Sequence, residues 1–124
     1  MPPTIVCTIT LTEVSDEKGE DTLMINVSHP FFQVPRTQAN VAWRIDNQTN
    51  ARTLVKLRGF RNLTAPGVND DPCNDKTARR KLSVAGGAAG NIAVDMNGGT
   101  AGHRYKYNIH IGKVVAVDPE LELM

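Results

Sequence analysis

A chain of 124 residues with a formal net charge of +1 is long enough to bury one hydrophobic core and too short for two. Its near-balanced charge supplies no field that would select nucleic acid, an anionic membrane or an acidic substrate. No apolar run approaches the ~20 residues that span a bilayer, and the opening Met1-Pro2-Pro3-Thr4-Ile5-Val6 lacks the basic and long apolar regions of a signal peptide. The expectation is one domain over residues 1–124, either cytoplasmic or secreted with its leader removed, with no nucleic-acid or membrane partner.

Eight runs read as strands and none as a helix. Residues 4–14 alternate Ile5, Cys7, Ile9 and Leu11 against Val6, Thr8, Thr10 and Thr12, the period of a strand buried on one face. A polar, acidic turn holding Gly19 leads to residues 22–28, where Leu23, Ile25 and Val27 take the inward positions. His29-Pro30 breaks that run, and Phe31-Phe32-Gln33-Val34 is placed as a bridge between two sheets. Residues 40–46 set Val41, Trp43 and Ile45 on one face, with Trp43 as the central core anchor. The polar turn Asn47-Gln48-Thr49-Asn50 precedes residues 53–59, with Val55 and Leu57 inward.

Residues 62–77 form the longest irregular stretch, rich in Asn, Asp and Pro, and loops of that length usually carry function. Arg79-Arg80-Lys81 follows it and reads as the charged start of an edge strand over residues 80–84. The Gly/Ala-rich connection 85–90 leads to residues 91–96, with Ile92, Val94 and Met96 inward. Last comes a hairpin in which Tyr105, Tyr107, Ile109 and Ile111 alternate with Arg104, Lys106, Asn108 and His110, and Gly112-Lys113 turns into a second apolar run. Asp118 and Glu120 flank Pro119 in that run and are read as keeping an edge strand soluble. Short alternating strands separated by turn residues define an all-β fold, a Greek-key antiparallel β-sandwich of seven to eight strands.

Two stretches resemble the cupredoxins, the plastocyanin- and azurin-type sandwich proteins. Val41-Ala42-Trp43-Arg44-Ile45-Asp46-Asn47 followed by Thr53-Leu54-Val55 resembles the family's Val-x-Trp-x-x-x-Asn segment and the His-x-Val strand after it. Leu82-Ser83-Val84, Gly86, Ile92-Ala93-Val94, Gly102 and Tyr105-Lys106-Tyr107-Asn108-Ile109 are similar to its closing order of strand, glycine turn, strand and Gly-x-Tyr-x-Tyr-x-Cys hairpin. The resemblance implies a cupredoxin-like sandwich. It also implies where copper would sit, and there the ligands are missing: Thr53 stands for the first His, Ile109 for the Cys, and Gly112 to Val114 offer neither His nor Met. A trigonal His₂Cys site has nothing to form it, so the expectation is a copper-free sandwich without a cofactor.

Other chemistry is sparse. Asn69-Asp70-Asp71-Pro72-Cys73-Asn74-Asp75 concentrates oxygen ligands suited to a hard cation such as Ca²⁺. Asp70, Asp71 and Asp75 are therefore weak metal-ligand candidates, against the plain alternative of a solvated Asn/Asp loop. His103 and His110 are seven residues apart, about 23 Å along a strand and on opposite faces, so they do not chelate one ion together. His29 reads as a turn residue. No nucleophile turn such as Gly-x-Ser-x-Gly is present, and the Ala-Gly-Gly-Ala-Ala-Gly stretch lacks the Lys-Ser/Thr ending of a phosphate cradle. Cys7 is expected in the core and Cys73 in a polar loop; a disulfide between them requires Cα atoms within about 7 Å. Asn26, Asn47 and Asn62 each open an Asn-x-Ser/Thr pattern.

The functional expectation is a non-enzymatic binding or structural module with a protein partner. Its candidate contacts are the loops at residues 47–52, 62–77 and 85–90. The first alternative is self-association through a sheet edge or through the face bearing Arg104, Lys106 and His110. The second is a weak cation site in the 69–75 loop.

Overall fold

The computed structural model describes residues 5–15, 17–35, 40–67, 72–73, 80–96, 98–112 and 114–124. Runs of β-branched and aromatic residues at every second position become strands because such side chains pack on a pleated, half-buried surface. In chain order the strands are β1 (Ile5–Ser15), β2 (Asp21–Val27), β3 (Phe31–Val34), β4 (Asn40–Asn47), β5 (Thr53–Asn62), β6 (Lys81–Val84), β7 (Ala89–Asp95), β8 (Arg104–Ile111), β9 (Val114–Val117) and β10 (Glu120–Leu123). One sheet has the order β2-β1-β4-β7. The other has β3-β10-β8-β5-β6, with β9 also paired to β8. The fold is an all-β sandwich of two sheets, and the described residues contain no helix.

Ten strands replace the expected eight, and two pairings are parallel. β1 lies parallel to β4, and β3 parallel to β10. Both pairs join strands distant in the chain, where no hairpin turn imposes the antiparallel direction. The change of sheet falls at Ser28–Pro30. The Ser28 amide still donates to Thr8 O at 2.8 Å in the first sheet, while Pro30 O accepts the Glu120 amide at 2.9 Å in the second. Phe31–Val34 is therefore an edge strand of the second sheet, not a bridge.

The closing run is also split. Ile109 pairs with Val117, but Glu120 pairs with Lys106, and the Tyr107 amide donates to Pro119 O at 3.0 Å. Proline supplies no amide to the ladder, so Asp118-Pro119 divides one long strand into β9 and β10. β10 lies between β3 and β8, and Leu121 and Leu123 are core residues. The expected edge role of Asp118 and Glu120 is corrected accordingly: the strand that Asp118 precedes and Glu120 opens is an interior one.

Between the sheets lie Cys7, Ile9, Leu11, Val41, Trp43, Ile45, Val55, Leu57, Tyr105, Tyr107, Ile109 and Leu121, all essentially inaccessible. Trp43 is the anchor that the pattern indicates. Phe32 meets it edge-on at 6.0 Å and Tyr107 at 5.7 Å, and Trp43 Nε1 donates to the Tyr107 hydroxyl at 3.1 Å. That bond satisfies the two polar handles that burial of a Trp–Tyr pair would otherwise orphan. Phe60 stacks on Tyr107 at 5.0 Å, and the Arg80 guanidinium covers Phe60 at 5.1 Å.

Two strands depart from the pattern. β5 runs past Gly59 to Asn62 through a bulge between Arg58 and Arg61, where Gly59 takes φ +69°. Substitution by any L-residue would strain that backbone. On β2, Leu23 is exposed and Ile25 and Val27 are half-buried, because the strand stands at the rim of its sheet.

Candidate functional site

The positions that the cupredoxin resemblance assigns to copper do not converge. The β5–β8 ladder sets Val55 opposite Ile111 and Leu57 opposite Ile109. Thr53 therefore lies four residues from the partner of Ile109, about 13 Å along the strand. Ile109 is fully buried among core side chains. Among the described residues no group of three or more His, Cys, Asp or Glu side chains gathers as a metal would need.

The three candidate cation ligands, Asp70, Asp71 and Asp75, lie outside the described residues. Part of the stretch around them is described and is not a free loop. Cys73 is buried with its Sγ 4.0 Å from Met96 Sδ, and Pro72 O accepts the Gly98 amide at 3.1 Å. The expectation of Cys73 in a polar loop is thus corrected: its thiol fills a core gap beside a thioether. Cys7 and Cys73 are both buried, and neither is in a disulfide. Burial pushes the Cys7 thiol above its ordinary value, opposed by hydrogen bonds involving His29 and Ser28. Burial likewise pushes the Tyr107 hydroxyl upward, against the Trp43 hydrogen bond.

The histidines are held singly. Asn62 Nδ2 donates to His103 Nδ1 at 2.8 Å, while Asn62 Oδ1 accepts the Ala65 amide at 2.8 Å. His29 Nδ1 lies 2.8 Å from Ser28 Oγ. His110 sits on the outer face of β8, opposite Lys56.

Of the expected contact loops, 47–52 proves to be a structural staple. Asn47 is fully buried. Its Nδ2 donates to Ala51 O and Val84 O, each at 2.9 Å, and its Oδ1 accepts the Thr49 amide at 3.0 Å and the Thr49 hydroxyl at 2.6 Å. Its own amide donates to Ala88 O and its carbonyl accepts the Gly87 amide. One side chain thus ties the 47–52 turn to β6, and its backbone ties that turn to the 85–88 turn. A Cβ on Gly86 would stand 2.6 Å from Asn50 C and 2.8 Å from Thr49 O, so the two turns are packed backbone to backbone. The reading of Asn47 as a solvated turn residue is corrected. With Asn62 also buried, Asn26 alone among the three Asn-x-Ser/Thr acceptors is exposed.

Two surface features remain. The first is the far edge of β2, which pairs with no strand among the described residues. The Ser28 amide donates to Thr8 O, and the register continues as Thr10–Asn26 and Thr12–Met24. Antiparallel alternation therefore turns the amides of Thr22, Met24 and Asn26 toward β1 and those of Leu23, Ile25 and Val27 outward. No charge and no proline interrupts residues 22–27. Met24 (51% exposed) and Val14 (53%) stand on the outer face beside a shallow groove of about 440 Å³ lined by Thr10, Thr12 and Asn26.

The second feature is the outer face of the other sheet. Toward β10 its charges are paired: Lys106 Nζ is 3.0 Å from Asp118, Arg104 Nε 3.8 Å from Glu122, and Arg104 also covers Phe31 at 4.6 Å. The Lys106 hydrogen bond and charge hold the Asp118 carboxyl below its usual range. Toward β6, Lys56 and Lys81 have no ion-pair partner among the described residues. Lys56 lies opposite Lys81 on one side and His110 on the other. A groove of about 460 Å³ opens there, lined by Lys56, Leu57, Arg58, Gly59, Arg80 and Lys81. Lys81 does stand on the edge strand expected for it, but its like-charged partner was invisible before the register was known.

No protein-family model and no curated protein matches the sequence. Solved structures do match the fold. A multicopper oxidase from Aquifex aeolicus aligns over 96% of this chain and 29% of its own, with TM-score 0.59 and 16% identity. A multicopper oxidase from Pseudomonas thermotolerans aligns over 99% and 30%, with TM-score 0.51 and 17% identity. The CupB2 chaperone of Pseudomonas aeruginosa aligns over 77% and 53%, with TM-score 0.55 and 10% identity. The chain thus spans about half of the chaperone and less than a third of the oxidases. At these identities the likeness is one of fold alone, a two-sheet β-sandwich found in both multicopper oxidases and a chaperone.

Proposed function

We propose that this sandwich is a non-catalytic assembly module that associates by strand addition at the far edge of β2, the occupant being a second copy of the same chain. The carrying observation is the edge itself: outward amides at Leu23, Ile25 and Val27, with exposed Met24 between them. An uncharged edge of this length is a template for another strand. A two-fold axis through Met24 pairs Leu23 of one copy with Ile25 of the other, so apolar meets apolar and outward amides meet outward carbonyls. On the opposite face Thr22 meets Asn26, and the two Met24 side chains touch. The resemblance to CupB2, and to a CsuC–CsuE chaperone–subunit complex from Acinetobacter baumannii at TM-score 0.53 and 11% identity, is compatible with a protein partner and supports no more than that.

Sedimentation velocity over a concentration series tests the reading. A reversible dimer is expected, lost in Met24→Lys, which sets two ammonium groups against each other at the axis, and in Leu23→Pro. The proline removes an outward amide while sparing the β1 ladder. A monomer at every soluble concentration, or dimers unchanged in both variants, would overturn it.

A further inference from the structure

We infer that the groove beside β6 is a binding site for a small multivalent phosphate anion, a site separate from the β2 edge and independent of the assembly reading. Like charges directly across a ladder cost stability, yet Lys56 faces Lys81 on β6 and the titratable His110 on β8. Arg58 follows on the same face of β5, opposite Asn108. No ion pair engages Lys56, Arg58 or Lys81 among the described residues, although the same sheet neutralises Arg104 and Lys106 with Glu122 and Asp118. Lys56, Arg58 and Lys81 thus form a run of cations on one face with no carboxylate partner among the described residues.

The fold makes this part of the face concave. β6 covers β5 only from Thr53 to Lys56. Beyond that point the chain bulges at Gly59, and the Leu57 amide is met by Arg80 O at 2.7 Å. The resulting groove of about 460 Å³ has Lys56, Arg58 and Lys81 around it and the bare Gly59 backbone in its lining. Directly opposed residues place their Cβ atoms about 5 Å apart, and residues two apart along a strand are separated by about 7 Å. Three cations at those spacings match an anion bearing several linked phosphates better than a single phosphate, which would reach only one pair.

Single-stranded nucleic acid fits poorly, because its binding uses aromatic side chains on which bases stack. The nearby ring, Phe60, is already sandwiched between Tyr107 and the Arg80 guanidinium.

Isothermal titration calorimetry with sodium tripolyphosphate, at ionic strength held constant with chloride, is the test. Saturable one-to-one binding is expected, with monophosphate at least tenfold weaker. The double variant Lys56→Gln/Arg58→Gln should lose tenfold or more in affinity, with its melting temperature no lower than the parent's and its association state unchanged. Arg44→Gln, which removes one charge from the outer face of the other sheet, should bind as the parent does. No binding, an equal loss in Arg44→Gln, or tighter binding of a single-stranded DNA oligomer than of tripolyphosphate would overturn the proposal.

Discussion

Replacing Asn47 by Ala probes the joint that holds three segments together. The substitution deletes four hydrogen bonds: two donated to Ala51 O and Val84 O, and two accepted from the Thr49 amide and hydroxyl. Ala51 O keeps the hydroxyls of Thr49 and Thr53 at 3.0 and 3.2 Å, so its loss is partial. The Thr49 amide is left without an acceptor in a buried position. Buried bonds contribute about 0.5–1.5 kcal/mol net each, and an orphaned group adds about 1–3 kcal/mol. Some relaxation of the 47–52 turn is expected, which puts the total at about 3–4 kcal/mol. For a chain of this length 1 kcal/mol moves the melting temperature by roughly 4 °C, so circular dichroism should record a fall of roughly 12–16 °C. Asn50→Ala, at an exposed position in the same turn, should change it by little. A fall of less than roughly 4 °C for Asn47→Ala, equivalent to about 1 kcal/mol, would refute the staple.

Three further outcomes follow from the packing. Gly86→Ala drives a Cβ into the Asn50–Ala51 backbone and should cost about 2–3 kcal/mol. Gly87→Ala meets no neighbour but must hold φ +77° and should cost about 1 kcal/mol; the reverse order in chemical denaturation would discredit the backbone-to-backbone packing of the two turns. Both thiols are buried and outside any disulfide, so a chromogenic disulfide reagent should find neither in the native protein and both in denaturant; rapid native labelling would contradict the burial of Cys73. Burial raises Cys7 above 9.0 and Tyr107 above 10.0, so the folded state keeps protons that the unfolded chain releases. The contribution of these two groups should be flat below about pH 9 and be lost as the pH climbs past 9 and then 10. Cys7→Val should remove the earlier onset, and an unchanged profile in that variant would exclude the thiol as its cause.

Along the chain, alternation alone located β1, β2 and β4 to β8 and named most of their inward residues, from Ile9 and Leu11 through Trp43 to Tyr105, Tyr107 and Ile109. Period-two burial is a local property, since a strand shows it whichever neighbour covers it. The missing imidazole at Thr53 and the missing thiol at Ile109 were equally local facts. What lay beyond reach was everything set by partners distant in sequence. Ser28–Pro30 carries no mark of the sheet change, and Asp118-Pro119 reads as a break without saying that the second half enters the sheet interior. Asn47 has the composition of a turn residue, and only the approach of Val84, thirty-seven positions away, makes it a buried joint. Lys56 looks like a scattered surface charge and Lys81 like part of a charged strand start until the β5–β6 register sets them face to face. The one-dimensional pattern determined which faces are apolar, because burial follows side-chain chemistry residue by residue. Tertiary pairing alone decided which polar groups are bonded inside the fold and which, at the β2 edge and beside β6, point outward.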